Sequence, residues 1–85
     1  MTWKVEITGP AQKALRKLPA ADQGRVEAAL ATMRENPFAS DIVRLKAQPT
    51  AWRRRVGDWR ILFDIEAEKG RVLVHDIVRR TSTTY

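Results

Sequence analysis

Trp52-Arg53-Arg54-Arg55-Val56-Gly57-Asp58-Trp59-Arg60-Ile61-Leu62-Phe63 reads as a β-hairpin that gathers arginines onto one face. Gly57-Asp58 fits a two-residue turn, with glycine at the first central position as a type II′ turn prefers. Val56 then pairs with Trp59, Arg55 with Arg60 and Arg53 with Leu62. Directly opposed residues share a face, and successive residues alternate between faces. Arg53, Arg55 and Arg60 therefore line one side, while Trp52, Val56, Trp59, Ile61 and Phe63 line the other. Arg54 falls on the apolar side, near its rim. Like charges directly across a ladder repel, so Arg55 opposite Arg60 makes physical sense chiefly with an anion between them. Phosphate is the leading candidate, because a guanidinium fork grips it bidentately.

Outward from the hairpin, the N-terminal side opens on Trp3, Val5 and Ile7 alternating with Lys4, Glu6 and Thr8, which predicts a half-buried strand. Gly9-Pro10 ends it, and Pro10 suits the first position of a helix in which Ala11, Ala14, Leu15 and Leu18 recur at helical spacing up to Pro19. A second helix is expected to open at Asp22. Its Val26, Ala29, Leu30 and Met33 fall at i, i+3, i+4 and i+7, and Asn36-Pro37 stops it. Two helices joined at Pro19 read as an antiparallel hairpin. The segment 38–51 is expected to be mostly loop, with Val43 and Leu45 on one side of a short strand. After the arginine hairpin, Glu68-Lys69-Gly70 reads as a turn, and Val72-Leu73-Val74-His75-Asp76-Ile77-Val78 as a nearly continuous apolar strand near the sheet centre.

The predicted fold class is α+β, in one domain over residues 1–85: an N-terminal strand, a two-helix hairpin, then a three- to four-stranded, mainly antiparallel twisted sheet. The helices must cover the face holding Trp52, Ile61 and Phe63. The exposed concave face should then carry Arg53, Arg55 and Arg60.

At 85 residues there is material for one modest core. Cysteine is absent, which excludes disulfides, thiolate zinc sites and a cysteine nucleophile, and fits a reducing cytoplasm. The start, Met1-Thr2-Trp3-Lys4-Val5-Glu6, is too charged for a signal peptide or membrane span, so a cytoplasmic protein without membrane contact is expected. The formal charge of +6 favours an anionic partner, and seven of the arginines lie between Arg53 and Arg80. Asp64 and Glu66 share a strand face, but two carboxylates without a further ligand cluster do not make a metal site, and neither metal nor cofactor is expected. His75, the only histidine, sits among apolar residues and reads as a structural side chain.

The hairpin resembles the "YRxRxGdYRxlY" element of the RelE/ParE superfamily of bacterial toxin–antitoxin toxins. Ala14-Leu15-Arg16-Lys17-Leu18-Pro19 looks like that family's "kaLkkLp" helix end, Leu45-Lys46 like its "kLkg" lead-in, and Asp76-Ile77-Val78-Arg79-Arg80 through Tyr85 like its "i.hR…Y" ending. The likeness runs over essentially the whole chain. It implies a RelE-like fold and a ribosome-dependent endoribonuclease that cuts mRNA in the A site. By motif position Arg60, Arg80 and Tyr85 match catalytic residues, and Arg53, Arg55 and Arg79 match phosphate contacts; Arg79 stands where many relatives have histidine. The implied partners are a cognate acidic antitoxin, the ribosome and mRNA, with operator DNA reached only through the antitoxin. A ParE-like gyrase inhibitor and a catalytically inert RelE-fold binding module are the alternatives.

Cleavage of RNA without a metal proceeds by attack of the ribose 2′-OH on the adjacent phosphorus. It needs a base, an acid and cations around the developing charge. The arginines meet the last need. Arginine stays protonated and is a poor base, and no histidine or glutamate falls on the arginine face of the hairpin. Tyr85 is the candidate acid–base or stacking group, since neighbouring guanidiniums make a phenol easier to ionise.

Overall fold

The hairpin forms in the expected register. In a computed structural model that describes residues 2–39, 42–45 and 52–79, β3 (Trp52–Val56) pairs antiparallel with β4 (Trp59–Glu66). Val56 lies opposite Trp59, Arg55 opposite Arg60 and Arg53 opposite Leu62. Gly57 takes φ +58°, the left-handed conformation that a primed two-residue turn demands at this position.

The other elements are β1 (Lys4–Ile7), α1 (Gly9–Arg16), α2 (Ala20–Glu35), β2 (Ile42–Arg44) and β5 (Arg71–Arg79). They build one sheet of order β1-β5-β4-β3-β2, antiparallel except where β1 runs parallel to β5. This is the expected α+β architecture. β5 is an interior strand, as its long apolar run required. A 3₁₀ turn at Ala67–Lys69 joins β4 to β5 and closes on Gly70 at φ +60°.

Local chemistry accounts for the helices. Thr8 caps α1, its Oγ1 accepting from the Ala11 amide at 3.4 Å, and Pro10 sits in the first turn. α2 begins two residues before the expected Asp22. Pro19 occupies the cap position, its carbonyl accepting from the Gln23 amide at 2.8 Å, and Asp22 lies in the first turn, where its charge opposes the helix dipole. Val26, Ala29, Leu30 and Met33 are all buried. They pack with Ile61, Phe63, Val72 and Val74 into the single core between helices and sheet. Phe38, half exposed, stands edge-on to Trp3 at 6.1 Å and to Trp52 at 6.0 Å.

The β4–β5 ladder has one irregularity. Leu62 pairs with Asp76 and Phe63 with Val74, so His75 is an extra residue in β5 and the ladder bulges there. Val74 and Ile77 are both buried, so the two residues between them, His75 and Asp76, share the open face. Without the bulge, strict alternation would put Asp76 in the core and Ile77 in water. The bulge is tied on both sides. Thr8 Oγ1 donates to the His75 carbonyl at 3.0 Å, and Asp76 Oδ1 accepts from the Ile77 amide at 2.8 Å.

Candidate nucleic-acid interface

The helices cover one face of the sheet, and the registers map the other into four rows. Nearest the Gly57 turn lie Arg55, Arg60 and Val78. The second row holds Val43, Arg53, Leu62 and Asp76. The third holds Asp64, Leu73 and Glu6, and the fourth Glu66, Arg71 and Lys4.

Arg53, Arg55 and Arg60 therefore do share a face, with Arg55 and Arg60 in one row and Arg53 in the next. Arg55 is exposed and Arg53 half-buried. Arg60 departs from the expected open position: it is only 6% exposed, and its Nη1 donates to the Gly57 carbonyl at 3.2 Å and the Trp59 carbonyl at 3.0 Å. The guanidinium is thus fixed against its own turn, a positive charge held beneath the surface rather than a mobile side chain. Arg79 is not brought to this group. It lies opposite Trp59, by register on the helix-covered side, and is exposed at that rim. Arg80 and Tyr85 lie outside the described residues, as does Lys46.

Arg54 occupies neither the arginine face nor the rim of the apolar one. It is 8% exposed and crosses to α2, where its Nη1 donates to the Ala29 carbonyl at 3.0 Å and to Thr32 Oγ1 at 2.7 Å. Burial lowers its pKa from the ordinary arginine value, but a guanidinium remains charged. Three consecutive arginines thus divide into two that face outward and one that ties β3 to a helix.

Past the hairpin, the open face changes character. Arg71 in the fourth row bonds Glu6 Oε2 through Nη1 at 3.1 Å and Glu66 Oε1 through Nε, while Lys69 approaches Glu66 at 3.8 Å. The hydrogen bond from Arg71 holds the Glu66 carboxyl below the usual carboxylate range and raises the Arg71 pKa in return. Between the basic and ion-paired ends, His75 Nε2 meets Asp64 Oδ2 at 2.7 Å. The sequence alone placed no glutamate or histidine on the arginine face of the hairpin. β4 continues that face beyond the hairpin to Asp64 and Glu66, and β5 brings His75 to it between buried Val74 and the bulge. The parity of residues 60, 62, 64 and 66 was a readable signal for the carboxylates, and that of 72, 74 and 75 for the histidine.

Such a surface can hold a phosphodiester by charge at its turn end, next to groups able to move protons. No family model matches the chain, and no curated protein matches it by sequence. Its fold is nevertheless shared with solved structures. A chain of the archaeal RelE–RelB complex from Pyrococcus horikoshii superposes with a TM-score of 0.85 at 22% identity, covering 98% of this chain and 100% of that one. The RelBE2 toxin–antitoxin complex of Mycobacterium tuberculosis gives 0.78 at 25% identity, with 94% and 100% covered. The isolated Escherichia coli RelE toxin gives 0.76 at 19% identity, with 94% and 88% covered. The two helices and the five-stranded sheet are those of the RelE-like toxin fold, the class that the hairpin and the chain-wide motif order anticipated.

Proposed function

We propose that this protein is the toxin of a type II toxin–antitoxin pair and acts in the cytoplasm as a ribosome-dependent, metal-independent endoribonuclease on mRNA in the A site. The observation that carries this reading is the row in which Arg55 stands directly opposite Arg60, with Arg53 in the next, on the uncovered face of a RelE-like sheet. Arginines gathered on one open face concentrate positive charge that suits a polyanion. Arg53 and Arg55 grip the RNA phosphates, and Arg60 supplies fixed positive charge beneath the reacting phosphorus, where a low local dielectric strengthens it. Arg80 and Tyr85 join the catalytic group on the strength of the motif resemblance. The ribosome bends and orients the mRNA, a contribution of the proximity kind. An acidic antitoxin that neutralises the basic face is the natural partner, consistent with toxin–antitoxin complexes among the structures sharing this fold; operator DNA is reached through it. No helix among the described residues is long and apolar enough to cross a membrane.

Primer extension on a reporter mRNA in a translating bacterial extract tests the proposal, with ribosome-free RNA and the Arg60→Ala variant alongside. Codon-phased cuts that need ribosomes and vanish in the variant are expected. Intact mRNA from a protein that still arrests growth would sink the ribonuclease reading and point to a gyrase target.

A further inference from the structure

We propose that His75, oriented by Asp64, is the general base of the open face, taking the proton from the ribose 2′-OH; the inference rests on the ribonuclease reading above. Arginine cannot do this work, since it does not give up its proton. His75 is the only histidine in the chain, and it stands on this face directly after buried Val74, at the point where β5 bulges. Bulges that re-aim a side chain recur beside active sites.

The geometry specifies the tautomer. Asp64 as a carboxylate only accepts, so the 2.7 Å contact makes His75 Nε2 the protonated nitrogen and leaves Nδ1 with its lone pair. Among the described residues Nδ1 makes no hydrogen bond, and the two side chains are 34% and 31% exposed, open to a substrate but partly shielded. An aspartate that fixes a histidine's tautomer and stabilises its imidazolium is the arrangement general-base catalysis uses. His75 lies one strand over from Arg60 and two to three residues down, about 10 Å between Cα atoms by ordinary strand rise and spacing.

The surrounding ionisable groups on this face are Arg53 and Arg55 from β3, Arg60, Asp64 and Glu66 from β4, Arg71 and Asp76 from β5, and Lys4 and Glu6 from β1. Arg71 is engaged by both glutamates, Lys4 lies 3.5 Å from Glu6, and Asp76 accepts from the Ile77 amide. Asp64 is the group hydrogen-bonded to the imidazole, and Glu66 acts on it by charge alone. In the reaction, the 2′ oxygen bonds to phosphorus as its proton passes to His75 Nδ1, and the bond from phosphorus to the 5′ oxygen breaks. A water molecule protonates the leaving 5′ oxygen, and the hydroxide so formed takes the imidazolium proton. The products are a 2′,3′-cyclic phosphate and a 5′-hydroxyl. His75 is the catalytic residue here and Asp64 the positioning one.

Single-turnover cleavage of mRNA on programmed ribosomes, followed as a function of pH, tests this. The variants are His75→Gln, Asp64→Asn, and His75→Ala with and without added imidazole. The wild-type rate should rise with pH, because the base must be unprotonated. His75→Gln should be about 10²-fold slower with that limb flattened, imidazole should restore part of the His75→Ala rate, and Asp64→Asn should be about tenfold slower because an amide can donate to the ring and favour the wrong tautomer. A cooperatively folded His75→Gln protein that keeps the wild-type rate and pH limb overturns the inference and leaves the ribonuclease reading standing. Should that variant not fold, an unchanged rate in Asp64→Asn overturns it equally. Wild-type protein that leaves ribosome-bound mRNA intact overturns the underlying reading and this inference together.

Discussion

The two ends of the open sheet face use the same residue type to opposite effect. In the fourth row, Arg71 is held between Glu6 and Glu66 and its charge is spent within the protein. In the first row, Arg55 lies directly opposite Arg60, with Val78 on the far side of Arg60, and the Arg55 side chain is exposed. An arginine is therefore not a binding residue by identity; its row decides. Arg54 extends the lesson to the other face, where a guanidinium flanked in sequence by two outward arginines works as a tie between β3 and α2.

Substitutions at the two ends should separate function from stability. The largest effect is expected for Arg55→Ala, an exposed residue whose loss should lower ribosome-dependent cleavage by about 10²–10³-fold while leaving the thermal midpoint nearly unchanged. Measuring both on one preparation checks it; a variant that cleaves normally would break the contrast between the rows. Next comes Arg54→Ala, which strands the Ala29 carbonyl and Thr32 hydroxyl contacts and should cost about 2–3 kcal/mol of folding free energy, read by denaturant titration. Cleavage per folded molecule should survive. Gly57→Ala should cost about 1 kcal/mol, because alanine is strained at φ +58°. Its added Cβ would meet nothing closer than Arg25 Nη1 at 3.7 Å, so strain and not crowding sets the loss. The smallest effect belongs to Glu66→Gln. The Glu66 pKa is lowered in the folded state, so its contribution is present above the unfolded carboxylate pKa and fades as pH falls through the lower folded one. The variant should flatten the acid arm of the melting-temperature profile slightly and leave cleavage untouched.

Much of this was legible in the sequence for reasons of periodicity. The Gly57-Asp58 turn pinned the hairpin register, and a one-residue slip would have exchanged every side chain between core and solvent. The i, i+3, i+4, i+7 spacing of Val26, Ala29, Leu30 and Met33 chose the buried stripe of α2 before its first residue could be placed. What periodicity could not reveal was where it breaks. The bulge at His75 follows from the cost of burying Asp76 against the need to bury Ile77, a tertiary balance with no local signature. Arg60 lies on the expected face, yet its retreat onto the Gly57 and Trp59 carbonyls depends on side-chain hydrogen bonding that alternation does not encode. Arg79 was drawn toward the site by motif position, while strand parity puts it across from Trp59.

The most direct measurement compares wild type, Arg55→Ala and Arg71→Ala in ribosome-dependent mRNA cleavage by primer extension, at matched folded concentration. Codon-phased cuts from the wild type and Arg71→Ala, with Arg55→Ala silent, are the result the row assignment predicts. Equal loss in both variants, or cutting that survives Arg55→Ala, would contradict it.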